Sequence, residues 1–293
     1  MKKVLLSVLL ASVSAFASIQ VDTTYAALGA ITKKVGGDNV DVVVLANSTY
    51  DPHFIVPKPS LLAKLRNADL LVINGGGLEI GWLPPLLRSA NNAKIQSGAS
   101  GFLDISHFLT LINKPATVSR GFGDIHAQGN PHYMTDPHMV PTIAKVIAKK
   151  LALVDPSNAT VYENNLQSFL KEWGEFLEKF DANMATCKDK KVIQYHELYN
   201  YFLNQYGFKS YGNIEPLPGV TPSSKHTLEI INTMRENGVK KIAQDVYHEK
   251  KTAHFIADKT GAKVDVVPHD VGAMPGTDTL EDFYNTIAKA LCQ

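Results

Sequence analysis

Two histidines stand in matching proline corners, and both suit metal ligation. In Gly129-Asn130-Pro131-His132-Tyr133-Met134-Thr135-Asp136-Pro137, the ring of Pro131 fixes its own φ and pushes Asn130 towards extended backbone. Asp136 then serves as an N-cap with Pro137 at the first helical position, so His132 sits on a stiff corner ahead of a helix. Tyr50-Asp51-Pro52-His53 repeats the device, acid then proline then histidine, before a helix starting near Pro59. Two further candidates are His196, and His269-Asp270 behind Pro268. Neutral imidazole is the commonest metal-binding side chain. His53, His132 and His196 with the Asp270 carboxylate would form a closed set of three nitrogens and one oxygen. Such a set suits Zn²⁺, with Mn²⁺ as the alternative.

These residues lie far apart in the chain, so a fold must gather them. Residues 19–25, 40–46 and 70–74 read as apolar strands, and 94–96 as a short further one. Helices are expected over 26–35, stopped by Gly36-Gly37, and over 59–67 and 82–90. After Pro137, Val140, Ile143, Ala144, Ile147 and Leu151 recur at helical spacing. A longer run over 159–181 carries Leu166, Phe169, Trp173, Leu177 and Phe180 near one face. The second half resumes with strands at 191–195, 242–246 and 264–267, and helices at 197–206, 227–237, 251–260 and 280–291. Strands alternating with helices imply parallel sheets flanked by helices. The expected fold is α/β, with lobes at 18–155 and 186–293 joined by one long, rigid helix over 156–185. Ligands of open parallel sheets gather beyond the carboxyl ends of strands. His53 and His132 hold such positions in the first lobe, and His196 and Asp270 in the second. The metal cleft is therefore expected between the lobes.

Composition narrows the function. At 293 residues, with 45% hydrophobic and 19% charged side chains, the chain has ample material for a core. Its 29 basic and 28 acidic residues leave a net charge of +1, which gives no argument for nucleic acid or an anionic surface as partner. Residues 1–17 read as a signal peptide: Lys2 and Lys3, an apolar run over 4–10, then Ala15-Phe16-Ala17 as the cleavage site. That run is too short to span a bilayer, and no cysteine near the site offers an attachment point for lipid. The expectation is a soluble periplasmic monomer beginning at Ser18. Cys187 and Cys292 are the two cysteines, an even count that permits one disulfide in an oxidising compartment. Without C-x-x-C spacing they make a poor metal pair.

Other polar residues have plainer readings. Residues 114–130 form a surface loop in which Gly123 and Gly129 flank His126, so His126 is expected to be an auxiliary ligand at most. His138 reads as packing or capping, His107 as a core histidine, and His226, His248 and His254 as solvated. Gly75-Gly76-Gly77 follows a strand but lacks G-x-G-x-x-G spacing or a Walker Lys-Ser pair, so it reads as a turn needing unusual backbone angles. A secreted zinc hydrolase is the competing class. It would need an open coordination position and a base; Glu197 follows His196, but there is no H-E-x-x-H.

In these motifs the chain resembles the metal-binding solute-binding proteins of ABC importers, the ZnuA/TroA type. The resemblance spans essentially all of the expected mature chain. It is carried by Asp51-Pro52-His53, Asn74-Gly75-Gly76-Gly77-Leu78-Glu79-Ile80-Gly81-Trp82-Leu83 and Asn130-Pro131-His132 with Asp136-Pro137. Tyr195-His196-Glu197-Leu198-Tyr199-Asn200-Tyr201-Phe202 and Pro268-His269-Asp270 complete the ordered set. The resemblance implies His53, His132 and His196 as ligands with Asp270 as the carboxylate, and His269 or Glu215 as rivals for a place. It also implies two lobes bridged by a rigid helix, binding without catalysis, and delivery of zinc to a membrane permease. Many zinc-specific relatives carry a long His- and acid-rich loop before the second histidine, whereas this chain has only Asp124 and His126 there. Manganese-type relatives often place a glutamate where His196 stands, which keeps manganese as the rival metal.

Overall fold

The computed structural model describes residues 18–116 and 126–293. The expected signal peptide at 1–17 lies outside these residues, as do Gly123 and Asp124. The first lobe is built from β1 (Ile19–Thr23), α1 (Ala26–Gly36), β2 (Val40–Val44), α2 (Pro59–Asn67), β3 (Leu70–Ile73), α3 (Leu83–Ala90), β4 (Phe102–Asp104) and α4 (Val140–Val154). The connecting helix is α5 (Ala159–Met184). The second lobe follows with β5 (Lys191–Gln194), α6 (Asn200–Gln205), β6 (Lys209–Asn213), α7 (Ser224–Asn237), β7 (Lys241–Gln244), α8 (Lys251–Thr260), β8 (Lys263–Val266) and α9 (Leu280–Cys292). Both sheets are parallel, in the orders β2-β1-β3-β4 and β6-β5-β7-β8. The lobes thus share one topology, and both present the carboxyl ends of their strands to the cleft.

Local sequence explains most elements. β3 is Leu-Leu-Val-Ile and buried along its whole length, as a strand inside a helix-covered parallel sheet must be. Pro59 starts α2 because its fixed φ is already helical and its missing N–H has no partner to lose. Along α5, Tyr162, Leu166, Phe169, Trp173, Phe180 and Met184 fall on one buried stripe. Twenty-six residues at 1.5 Å each give a rod about 39 Å long. Two strands escape the sequence reading. Residues 94–96 are not a strand: Ala93–Ile95 forms a single 3₁₀ turn capped by the Asn92 side chain. The fourth strand is instead β4, only three residues long, while the edge strand β6, Lys-Ser-Tyr-Gly-Asn, has no apolar alternation to betray it.

The connecting helix is packed into both lobes. One apolar cluster runs from Val21 and Leu28 of the first lobe through Tyr162, Trp173 and Phe180 of α5 to Phe202 and Tyr284 of the second. Polar ties reinforce it: Trp173 Nε1 donates to Pro137 O at 3.0 Å, and Tyr284 Oη to Met134 O at 2.8 Å. A continuous core leaves little freedom for a hinge, so the loops of the cleft rest on a rigid frame.

Gly75, Gly76 and Gly77 all have positive φ, at 77°, 64° and 88°, so the run is a turn that side chains other than hydrogen would strain. Its purpose is to wrap around Glu79. That carboxylate accepts Asn74 N–H at 2.8 Å, Gly75 N–H at 3.0 Å and the Thr24 hydroxyl at 2.7 Å. Burial nonetheless raises its pKa from 4.5 to about 7. A carboxyl raised on folding stabilises the fold below its unfolded pKa and loses that contribution as pH rises through the folded value. The metal-free parent should therefore exceed Glu79→Gln in stability by about 2–3 kcal/mol more at pH 5 than at pH 8. Urea unfolding at the two pH values reads the difference, and an unchanged gap would refute the buried proton.

Candidate metal centre

His53, His132 and His196 converge in the cleft, each offering a ring nitrogen within 4.8 Å of the other two. His53 follows β2, His132 follows β4, and His196 follows β5, so the cluster draws on both sheets. All three side chains are 9% exposed or less.

Each ring is fixed by its own local structure. The Asp51 carboxylate accepts both the backbone N–H of His53, at 2.9 Å, and its Nδ1–H, at 2.7 Å. The carbonyl between them, Pro52 O, accepts from Tyr25 Oη at 2.9 Å and Trp82 Nε1 at 3.2 Å. In the second corner Asn130 Oδ1 accepts His132 N–H at 2.9 Å, and Pro131 O accepts Asn74 Nδ2–H at 3.0 Å. Asn130 also donates to Glu197 O at 2.8 Å and accepts from Tyr201 Oη at 2.7 Å, tying this corner to the other lobe. The Asp136 side chain caps the following turn through His138 N–H, with Pro137 next to it, as the sequence implies. His196 Nδ1 lies 2.5 Å from Glu215 Oε2, whose other oxygen accepts Gly219 N–H.

The carboxylates behind His53 and His196 hold the proton on Nδ1 and leave the Nε2 lone pairs bare and directed at the cluster. Burial, then the neighbouring imidazoles of His196, His53 and His126, keep His132 far below the ordinary imidazole pKa. Neutral, oriented and mutually close imidazoles are what a divalent cation of the zinc type requires.

The expected ligand Asp270 and its rival Glu215 each have other partners in the structure. Asp270 Oδ2 accepts Ala26 N–H at 2.9 Å, and Oδ1 accepts Ala27 N–H at 2.8 Å and Val271 N–H at 2.8 Å. It therefore caps the amino end of α1, where Tyr25 offers no side-chain cap of its own. The positive end of the helix dipole and three amide donors compete for both oxygens, so Asp270 stands outside the imidazole cluster. Burial lifts its pKa to about 6 despite these bonds. Glu215, a rival ligand by sequence, sits behind His196 and orients it. His269, the other rival, packs edge-on against Tyr247 at 4.9 Å, and burial pushes its pKa down to about 4.

Two further histidines, His107 and His248, depart from their sequence readings, and His126 lies beside the site. His107 is 67% exposed and lies 3.6 Å from Asp104, so it is no core residue. His248 is not solvated: it stacks on Tyr195 at 4.3 Å and pairs with Asp245 at 2.8 Å. Burial alone would lower its pKa, but the Asp245 carboxylate holds it above the ordinary value. His126 is buried, with its Nε2 3.1 Å from that of His53 and its ring stacked on the His53 ring at 5.1 Å. Burial, then His53 and His196, push its pKa down to about 3. The signal missed for His126 is Gly129 itself. Its φ of +119° closes a turn in which its N–H donates to His126 O, and a Cβ there would strike Ile112 O and Leu111.

Residues 21–293 match the sequence profile of the zinc-uptake complex component A, periplasmic, called ZnuA. The chain belongs to the ZnuA family. It is 25% identical over 254 residues to the "High-affinity zinc uptake system protein ZnuA" of Bacillus subtilis, covering 85% of this chain and 77% of that protein. It is 24% identical over 282 residues to the "Zinc-binding lipoprotein AdcA" of Streptococcus pneumoniae, covering 93% of this chain but only 54% of AdcA. The chain thus spans about half the length of that relative. Against the "Manganese ABC transporter substrate-binding lipoprotein PsaA" of Streptococcus anginosus it is 30% identical over 205 residues, 66% of this chain and 60% of PsaA. A crystal structure of a zinc-bound ZnuA deletion mutant matches with a TM-score of 0.75 at 27% identity, over 94% of this chain and 99% of that one. The ZnuA-type architecture is the two-lobed one described above, with a long helix between the lobes.

Proposed function

We propose that this ZnuA-family chain captures Zn²⁺ outside the inner membrane and hands it to the permease of an ABC importer. The observation that carries the reading is the convergence of His53, His132 and His196 from both lobes into one buried cluster of ring nitrogens. Nitrogen donors favour zinc over manganese on the Irving–Williams order, and a manganese site calls for more oxygen and more room than this cluster offers. The names of the ZnuA and AdcA relatives agree with that choice, while PsaA keeps manganese as the alternative cargo. Binding and release are the whole of the activity in this reading.

Among the described residues no helix is long and apolar enough to cross a membrane. Separately from that, the sequence of residues 1–17 supports export with signal-peptide cleavage near Ala17, and we take the chain to work as a periplasmic monomer. Growth decides the cargo. A strain lacking this chain should fail under zinc starvation and recover with added zinc; recovery with manganese alone would overturn zinc as the physiological metal.

A further inference from the structure

We infer that His126 is the fourth ligand of the metal, making an all-imidazole site in which the family's carboxylate position serves the fold instead. The inference rests on the three-histidine reading above and adds one donor to it.

The distances support it first. Zinc–imidazole bonds of about 2.0–2.1 Å set the edges of a regular tetrahedron of nitrogens at about 3.3–3.4 Å. His53 Nε2 and His126 Nε2 stand 3.1 Å apart, and His132 Nε2 and His196 Nε2 stand 3.2 Å apart. Both contacts are close to such an edge, while His126 stands outside the group of three imidazoles whose nitrogens all lie within 4.8 Å of one another, so its ring must swing inward before four donors share one ion. The His126 ring borders the three-histidine cluster, its centroid 5.1 Å from that of His53 and 5.8 Å from that of His132.

The surroundings point the same way. His126 is only 8% exposed, and its backbone is held by the Gly129 turn, while Asn130 N–H donates to Ile112 O at 2.8 Å. Its Nδ1 faces Gly77, where even a methyl carbon would come within 3.6 Å, so the ring is backed by the glycine turn. His126 and His196 line a cleft of about 200 Å³ that also bears Glu197 and Glu215, the side from which a cation would arrive. Asp270, by contrast, would have to give up three amide donors and expose the amino end of α1 before it could ligate. A His53–His126 separation of 3.1 Å also suits an N–H···N hydrogen bond with no role in binding, and the experiment must separate the two.

X-ray absorption at the zinc edge of the loaded full chain counts imidazoles through their outer-shell scattering. Four are expected in the parent and three in His126→Ala and His126→Asn. A structural zinc ion shares its binding energy over four ligands, so competition with a chelator should show these variants about 100-fold weaker. Asp270→Asn, which keeps one acceptor for α1, should melt at a lower temperature with zinc affinity within about 3-fold of the parent. Three imidazoles in the parent, or parental affinity in both His126 variants, would overturn the inference while leaving the three-histidine site intact. So would a loss in Asp270→Asn as deep as that in His132→Ala. Parental zinc binding by His132→Ala would instead sink the three-histidine reading itself.

Discussion

His132→Ala is expected to weaken zinc binding by at least about 100-fold and to remove most of the thermal stabilisation that zinc confers. The figure follows from dividing about 10–16 kcal/mol of binding free energy over four ligands, which gives about 3 kcal/mol each. His132 should lie at or above that mean. It is 6% exposed, its corner carries bonds to both lobes, and its Nε2 lies against that of His196 across the cleft. At a fixed free zinc concentration well above the parent's Kd, a 100-fold loss removes about 2.7 kcal/mol of ligand-linked stability. Calorimetry with and without zinc reads that loss, and chelator competition reads the affinity. His254→Ala, on the exposed face of α8, serves as the control and should behave as the parent does. Parental affinity in His132→Ala would mean that the cluster is a packing feature and that the cargo binds elsewhere.

Cys187→Ser/Cys292→Ser should cost about 4–5 kcal/mol of stability while leaving zinc binding at 25 °C unchanged. The two cysteines are bonded, with Cα atoms 5.3 Å apart, and they close a loop with a sequence separation of 105. In the chain-entropy model a loop of that length is worth about 4.7 kcal/mol, because the cross-link limits the unfolded ensemble. Cys187 precedes the amino end of β5, and Cys292 ends α9. The imidazoles lie beyond the carboxyl ends of the strands, across the sheet from the bridge. Stability and binding should therefore separate cleanly. Urea unfolding of the metal-free variant measures the first, and chelator competition the second. A stability loss below about 1 kcal/mol would show that the unfolded chain is already compact between these residues. Two thiols found in the denatured, unreduced parent would reject the bond outright.

The sequence alone determined the features that depend on neighbours along the chain. Pro131 and Pro52 stiffen the corners of His132 and His53, and Asp136 with Pro137 starts the next turn. Apolar stripes at helical spacing placed α4, α5 and α9, and the apolar strands β1, β2, β3, β5 and β7 stood out from their flanking turns. These elements exist for local reasons, so local patterns disclose them. Short or polar strands such as β4 and β6 are held by the strands beside them, and nothing within their own residues announces them.

Only the tertiary structure shows what the carboxylates and His126 lie against. An isolated Pro268-His269-Asp270 reads as a ligand motif, but Asp270 meets the amino end of α1 across sequence separations of 243 and 244 residues. Glu215 reads as a rival to His196, yet it lies behind that ring and orients it. His126 reads as loosely held between glycines, whereas the Gly129 turn fixes its backbone and its ring stacks on His53. A carboxylate binds whichever cation, amide or imidazole the fold brings within about 3 Å. Residue type shows that such a group can ligate, but only the packing of two lobes settles which partner reaches it first.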